Sequence, residues 1–132
     1  MYQFKIYKEI ELVSVKLSGE VDFSELIELN LHIYGHPDFL SHFNGLCDER
    51  NATVKINQQQ MQTIHNATKE LGGFSGKWAH LSDTPRNIAL VEIYRELSKE
   101  WHPVEVCYNL KAAEEFLGYE NLKPYLFPSL PR

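Results

Sequence analysis

The segment LCDERNATVKINQQQMQ, residues 46–62, places an acidic side chain after a buried strand and a helix start a few residues later. An aspartate at the carboxyl end of a central strand, here Asp48, is a position from which a carboxylate can accept a phosphoryl group. That chemistry also needs an acidic pair that holds Mg²⁺ after the first strand and a lysine after a late strand. The first strand is followed instead by Lys8-Glu9 and the last by Tyr108-Asn109. We therefore interpret Asp48 as a turn residue that hydrogen-bonds nearby backbone N–H groups.

Two of the histidines have a spacing that is typical of metal ligands on a helix. His32 and His36 are four residues apart, as metal ligands on one helix face are. Gly35 and Pro37 end the helix before His36, however, and no carboxylate or cysteine partner follows at a fixed spacing. His65 and His80 are single residues in a helix and a strand, interpreted as surface or half-buried groups. The sequence predicts no metal site.

The two cysteines, Cys47 and Cys107, lie in apolar runs without CxxC spacing, and we interpret them as small buried hydrophobic residues. Neither has a histidine at a diagnostic position, and the chain contains no GxSxG, GxGxxG or Walker sequence. The glycine cluster GGFSG, residues 72–76, follows a helix rather than opening one, which is the wrong end for a phosphate. We predict that the protein is not an enzyme and has no cofactor.

Polar residues that follow the predicted strands form the remaining candidate surface. In a parallel sheet they gather at its carboxyl edge, where ligands of open α/β sheets bind. Three of them, Asn57, Asp83 and Thr84, are explained equally well as helix caps. The candidate ligand or partner surface comprises Asp48, Arg50, Asn57, Asp83, Thr84 and Arg86.

Composition limits the classes of function. The 132 residues are 43% hydrophobic with a net charge of −5, which indicates one folded domain without the basic stripe of a nucleic-acid-binding protein. No apolar run reaches the ~20 residues needed to span a bilayer, and MYQFKIYKEIEL lacks the apolar segment of a signal peptide. We expect a cytoplasmic protein without stable membrane insertion.

Alternation and capping signals predict the elements that position these residues. Residues 2–18 form a hairpin that ends at Gly19, and Asp22 begins the first helix. A central strand covers FNGLCDE, which ATVKI extends or bends, and Asn57 with Gln60 begins the second helix. Four further elements follow: the strand KWAHLSD, a helix capped by Asp83 or Thr84, the strand VEVCYN and the helix LKAAEEFLG. They complete the order β-β-α-β-α-β-α-β-α. This order predicts an α/β fold with a mainly parallel, mixed sheet and an antiparallel N-terminal hairpin.

The chain is predicted to be a single domain over residues 1–118 with a C-terminal tail over residues 119–132. The tail contains three prolines and exposes apolar side chains unless it packs on the domain or on a partner. Tyr125, Leu126 and Phe127 are the candidate oligomer contacts.

Five parts of the sequence carry a resemblance to a known family: the hairpin, GEVDFSELIEL, HPDF before NGLCDER, GKWAHLSDTPRNIALVEIYREL and VEVCYNLKAAEEFLG. Together, over roughly residues 2–118, they resemble the STAS-like family. These small bacterial proteins are related to anti-sigma-factor antagonists, and their fold is similar to the CRAL-TRIO domain. In the antagonists, a serine at the start of the second helix is phosphorylated and controls binding of a kinase. The matching segment KINQQQMQ contains no serine, and the nearest hydroxyls belong to Thr53 and Thr63.

The resemblance implies a non-enzymatic domain that binds a protein partner or a second copy of itself, without the usual phosphoacceptor serine. The alternative is a small-molecule or lipid-binding module, for which a small apolar ligand would be the partner. Nucleic acid is not an expected partner.

Overall fold

The computed structural model describes residues 1–100 and 102–128. Within them the chain forms five strands and four α-helices joined by short loops. The strands are β1 (Tyr2–Tyr7), β2 (Leu12–Asp22), β3 (Asn44–Lys55), β4 (Trp78–Leu81) and β5 (Val104–Cys107). The helices are α1 (Phe23–Gly35), α2 (Gln58–Glu70), α3 (Pro85–Ser98) and α4 (Leu110–Leu117), with 3₁₀ turns at Lys8–Ile10 and Lys123–Tyr125.

The strands form one sheet in the order β1-β2-β3-β4-β5. β1 is antiparallel to β2, and all other neighbours are parallel. The predicted α/β class, mixed sheet and order of elements are confirmed. The apolar run of β3 suits its central place, because a strand covered on both faces has no solvent side.

Side-chain alternation divides the core into two layers. Val13, Val15 and Leu17 face α1, α2 and α3, whereas Leu12 faces α4 and the C-terminal tail. A β-strand sends successive side chains to opposite faces, so one short stretch of sequence supplies both layers.

Local capping signals predicted the helix starts. The side chain of Asp22 accepts a hydrogen bond from Glu25 N, and Asn57 and Gln60 form a complete capping box. Of the two caps considered for α3, the structure selects Thr84, whose side chain accepts from Asn87 N. Each such cap contributes about 1 kcal/mol to stability.

Two strands run beyond their first apolar segments. The pairing of β1 with β2 ends at Tyr2 and Leu17, just before the predicted hairpin end at Gly19, but β2 itself continues to Asp22 beside β3. β3 does not end near Asp48 but runs on to Lys55, as in the alternative in which ATVKI extends the strand. A register shift lets the long strands stay paired: Lys16 lies opposite Asp48, and Ser18 lies opposite Asn51. The shift is a bulge with one extra residue on β3, and an extra residue of this kind bends the strand that carries it.

Among the described residues, none of the helices combines the length and the apolar character required to cross a bilayer.

Candidate functional site

Asp48 lies inside β3 and is buried, at 3% exposure, so its placement in a turn is wrong. The predicted hydrogen bond to a nearby backbone group is present, because Arg50 N donates to Asp48 Oδ1 at 3.2 Å. Its carboxylate accepts hydrogen bonds from Arg50 Nε at 2.9 Å and Arg50 Nη2 at 3.0 Å. Lys16 Nζ lies 3.6 Å from the same carboxylate, on the neighbouring strand. Burial acts to raise the pKa of Asp48, but the hydrogen bonds and charge of Arg50, with the charge of Lys16, hold it below its ordinary value. The cluster is a buried ion pair that holds the Arg50 guanidinium at the rim of the sheet.

The other predicted edge residues have mainly structural contacts. Thr84 and Asn57 cap helices, and Arg86 Nε donates to Val54 O at 2.9 Å, which ties α3 to the end of β3. Asp83 is exposed, and its charge acts together with the hydrogen-bonded Asp48 to raise the pKa of Arg50. At this edge of the sheet, the charges of Arg50 and Asp83 therefore attract one another.

The start of α2 is occupied by its own cap. Asn57 Oδ1 accepts from Gln60 N at 2.8 Å, and Gln60 Oε1 accepts from Asn57 N at 3.0 Å. Thr63 donates its hydroxyl to Gln59 O inside the helix, and Thr53 is exposed on β3. No serine or threonine hydroxyl stands at the first turn.

The tail lies across the sheet face opposite α1–α3. Ser14 Oγ donates to Tyr125 O at 2.6 Å, and the rings of Tyr125 and Tyr7 meet edge to face at 4.7 Å. Leu126 packs against the same core layer, and Phe127 is half-buried. Residues 129–132 lie outside the described part of the chain.

A cavity of about 110 Å³ lies between the sheet and helices α1–α3. Most of its wall is apolar, including Val15, Ile33, Ile64 and Leu90. Polar groups line it from the helices and from the sheet, and on the sheet side Cys47, Glu49 and His80 meet.

These three side chains are brought together by strand geometry. Cys47 and Glu49 are two residues apart on β3 and so point to one face, and His80 lies directly opposite Cys47 on β4. Their sulfur, carboxylate oxygen and ring nitrogen all lie within 4.8 Å of one another. Both ring nitrogens of His80 are buried and have no hydrogen-bond partner among the described residues.

Burial sets the protonation of this cluster. It raises the pKa of Glu49 to about 7, against the hydrogen bond that Ser82 Oγ donates to the Glu49 carboxylate. It also raises the pKa of the Cys47 thiol well above its usual range. Burial, with the nearby charge of His102, lowers the pKa of His80 to about 4. The cluster therefore holds a neutral thiol, a neutral imidazole and a carboxyl group that titrates near neutrality.

Asn87 of α3 fixes the bulge that carries Glu49. Its amide nitrogen donates to Glu49 O at 3.3 Å and Ala52 O at 2.9 Å, and its oxygen accepts from Val54 N at 3.2 Å. β3 pairs with β4 only as far as Asp48 and Leu81, so beyond this point that side of β3 has no neighbouring strand, and this buried amide satisfies part of its backbone.

Sequence reasoning missed the cluster because it treated each member separately. Both cysteines are free and buried, in agreement with their interpretation as buried hydrophobic residues. His80 was placed correctly in a strand. The available signal was the CxE spacing of Cys47 and Glu49, which puts both on one strand face only if the strand continues past Asp48.

The histidines first considered for a metal lie elsewhere. His32 Nδ1 is 2.6 Å from the hydroxyl of Tyr2, and His36 is the residue that ends α1. His36 Nδ1 accepts from Asp38 N at 3.1 Å. The helix boundary that separates this pair is as predicted.

The architecture is similar to that of one solved anti-sigma factor antagonist and of one uncharacterized protein with the same type of fold. No protein-family model matches the chain, and no curated protein matches its sequence. The unphosphorylated form of the anti-sigma factor antagonist SpoIIAA matches with a TM-score of 0.52 and 13% identity, over 87% of this chain and 96% of that one. An uncharacterized protein of the DUF3478 family with a SpoIIAA-like fold, from Shewanella loihica PV-4, matches with a TM-score of 0.57 and 10% identity, over 88% and 93%. The chain therefore has a STAS-like, SpoIIAA-like fold, as predicted from its sequence.

Proposed function

From this SpoIIAA-like fold we propose that the chain is a non-enzymatic domain that binds a protein partner, or a second copy of itself, through the carboxyl edge of its sheet. The observation that carries the proposal is the exposure of Tyr108, 67%, directly after the last residue of β5. Tyrosine and arginine are the residue types most enriched at the centres of protein interfaces. An exposed tyrosine at the edge that also carries Arg50 and Asp83 is a suitable anchor.

The ion pair with Asp48 supports a role for Arg50 in this surface. Two N–H groups of the guanidinium are bound by the buried carboxylate, which fixes the orientation of a side chain that is 36% exposed. A donor held in place before binding loses less conformational entropy when it meets a partner carboxylate. Asp48 thus contributes to the proposed surface through Arg50, since it is itself buried.

Binding is proposed to be constitutive rather than controlled by phosphorylation at the start of α2. In the anti-sigma-factor antagonists that the sequence resembles, the regulatory serine lies at this position. In this chain, Asn57 and Gln60 form a capping box there. A capped, uncharged helix start presents a fixed polar surface without a phosphate acceptor.

A second function, binding of a small apolar molecule, is favoured by the cavity of about 110 Å³. An apolar cavity of roughly 150 Å³ in another protein accommodates benzene, whereas pockets for larger ligands measure about 300 Å³ or more. This volume suits a molecule the size of a small aromatic ring better than an acyl chain. Native mass spectrometry of the purified protein tests this function through any co-purified mass.

Affinity capture from the native host with matched variants tests the proposed surface. Tyr108→Ala removes the anchor at the carboxyl edge, and Leu40→Ala removes a comparably exposed side chain, 56%, from the loop before β3 at the opposite edge. We expect a partner retained by the wild type and by Leu40→Ala to be lost from Tyr108→Ala. Loss from both variants or from neither would place the interface elsewhere.

A further inference from the structure

We propose that Cys47, Glu49 and His80 form a zinc-binding site on the sheet side of the cavity, with a fourth coordination position open to the cavity. This site is independent of the proposed partner surface. It rests on the meeting of three different donor groups in the core, where polar groups are otherwise unfavourable.

The donor geometry is close to that of a bound ion. Zinc ligands at about 2.0–2.3 Å from the metal lie roughly 3.3–3.8 Å from one another in a tetrahedron. The three donor atoms lie within 4.8 Å of one another without an ion. Side-chain adjustments of about 1 Å, without movement of the strands, would complete the coordination.

His80 provides the independent observation. A buried imidazole normally has hydrogen bonds on its ring nitrogens, and leaving them unmade is costly. His80 lines the cavity, and both its nitrogens are buried without a partner among the described residues. Coordination of zinc would satisfy one of them.

Charge balance favours a divalent cation. A thiolate from Cys47 and a carboxylate from Glu49 contribute two negative charges, which a divalent ion cancels within the low-dielectric core. Thiolate and imidazole donors select zinc over magnesium or calcium, which prefer oxygen ligands. Three protein ligands leave one position for a water molecule or a small ligand in the cavity.

Neighbouring contacts hold the carboxylate donor in place. Ser82 Oγ donates to Glu49 Oε1 from the residue after β4. Asn87 donates to the backbone carbonyl of Glu49 at 3.3 Å. Hydrogen bonds of this kind orient metal ligands, and losing one lowers metal affinity by about 10–100-fold.

Zinc titration of the purified, chelator-treated full chain tests the site. We expect one zinc per chain. Ser82→Ala, which removes an orienting hydrogen bond, should lower zinc affinity by about 10–100-fold, and Cys47→Ser, which removes a ligand, should lower it by more than about 100-fold. Cys107→Ser is the matched control, because this second free and buried cysteine belongs to the core layer on the opposite face of the sheet. Equal loss in the two cysteine variants, or no stoichiometric binding to the wild type, would overturn the proposal.

X-ray absorption spectroscopy of the zinc-loaded wild type tests the site without any substitution. The expected shell has one sulfur at about 2.3 Å and nitrogen or oxygen at about 2.0–2.2 Å. Replacement by cobalt should give a thiolate charge-transfer band that is absent from Cys47→Ser. A shell of nitrogen and oxygen alone would mean adventitious binding at surface histidines and would overturn the proposal.

Discussion

The buried ion pair on β2 and β3 makes an asymmetric prediction about stability. Lys16 and Asp48 are 4% and 3% exposed, and Arg50 is bound to the same carboxylate from a half-exposed position. Asp48→Asn leaves the Lys16 ammonium buried without its countercharge, a change that costs about 3–5 kcal/mol in other proteins. Lys16→Met keeps the Asp48–Arg50 pair and removes the need to desolvate an ammonium, so we expect a change within about 1 kcal/mol.

The double variant completes the cycle. In Lys16→Met/Asp48→Asn no buried ammonium remains, and the asparagine can still accept a hydrogen bond from Arg50. We expect it to regain most of the stability lost in Asp48→Asn, which corresponds to a coupling free energy of about 2–4 kcal/mol. Urea denaturation at neutral pH, with chelator present to exclude metal, measures all four proteins.

An exposed pair on the same two strands is the control. Lys55 Nζ lies 2.7 Å from Glu20 Oε1, with side chains 52% and 72% exposed. Because solvent screens this pair, Glu20→Gln should change the free energy of unfolding by at most about 1 kcal/mol. If Asp48→Asn costs no more than Glu20→Gln, or if Lys16→Met costs as much as Asp48→Asn, the argument from desolvation is refuted.

Three other predictions concern packing, pH and capping. A Cβ built on Gly45 would lie 2.1 Å from the Trp78 ring, so Gly45→Ala should destabilise the fold by about 1–3 kcal/mol in thermal unfolding. Gly35 has open space around it, and Gly35→Ala should therefore be neutral or stabilising by up to about 1 kcal/mol. Burial lowers the pKa of His102 to about 4, so the unfolded state binds a proton first and stability is lost as the pH falls from about 6.5 to 4. Relative to His102→Asn, the wild type should lose about 3 kcal/mol of unfolding free energy across that range, as measured by urea titrations. Parallel plots of unfolding free energy against pH for the two proteins would contradict this. Asn57→Ala removes the cap of α2 and should cost about 1 kcal/mol, with Asn57→Asp as the variant that keeps the acceptor.

The sequence predicted well what is decided locally. A cap needs only its own residue and the first turn of its helix, so Asp22 and Asn57 could be assigned from type and spacing alone. The order of strands and helices followed from hydrophobic periodicity in the same way. These assignments do not depend on which strands become neighbours.

Features that depend on strand register could not be predicted. The sequence left open whether ATVKI extends or bends the strand after Asp48, because the pairing with β2 that continues to Lys55 beyond the bulge depends on residues elsewhere in the chain. The meeting of Cys47 with His80 requires the register of β3 against β4, for which residues 33 positions apart carry no local signal. The role of Asn87 in satisfying the backbone of β3 beyond the end of β4 also exists only in the assembled sheet.

Cys47, Asp48 and Glu49 show how alternation separates two roles within three residues. The middle side chain turns to the α4 side of the sheet, where it meets Lys16 and Arg50, and its two neighbours turn to the cavity. The proposed partner surface and the proposed zinc site should therefore respond to different substitutions on the same strand. Glu49→Gln should weaken zinc binding without affecting partner capture, because Arg50 remains held by Asp48. Asp48→Asn replaces the two-point ion pair of Arg50 with a single neutral acceptor, so Arg50 should be held less firmly and capture should weaken while all three zinc donors stay in place. A variant that abolished both activities equally would indicate loss of the fold rather than of either site.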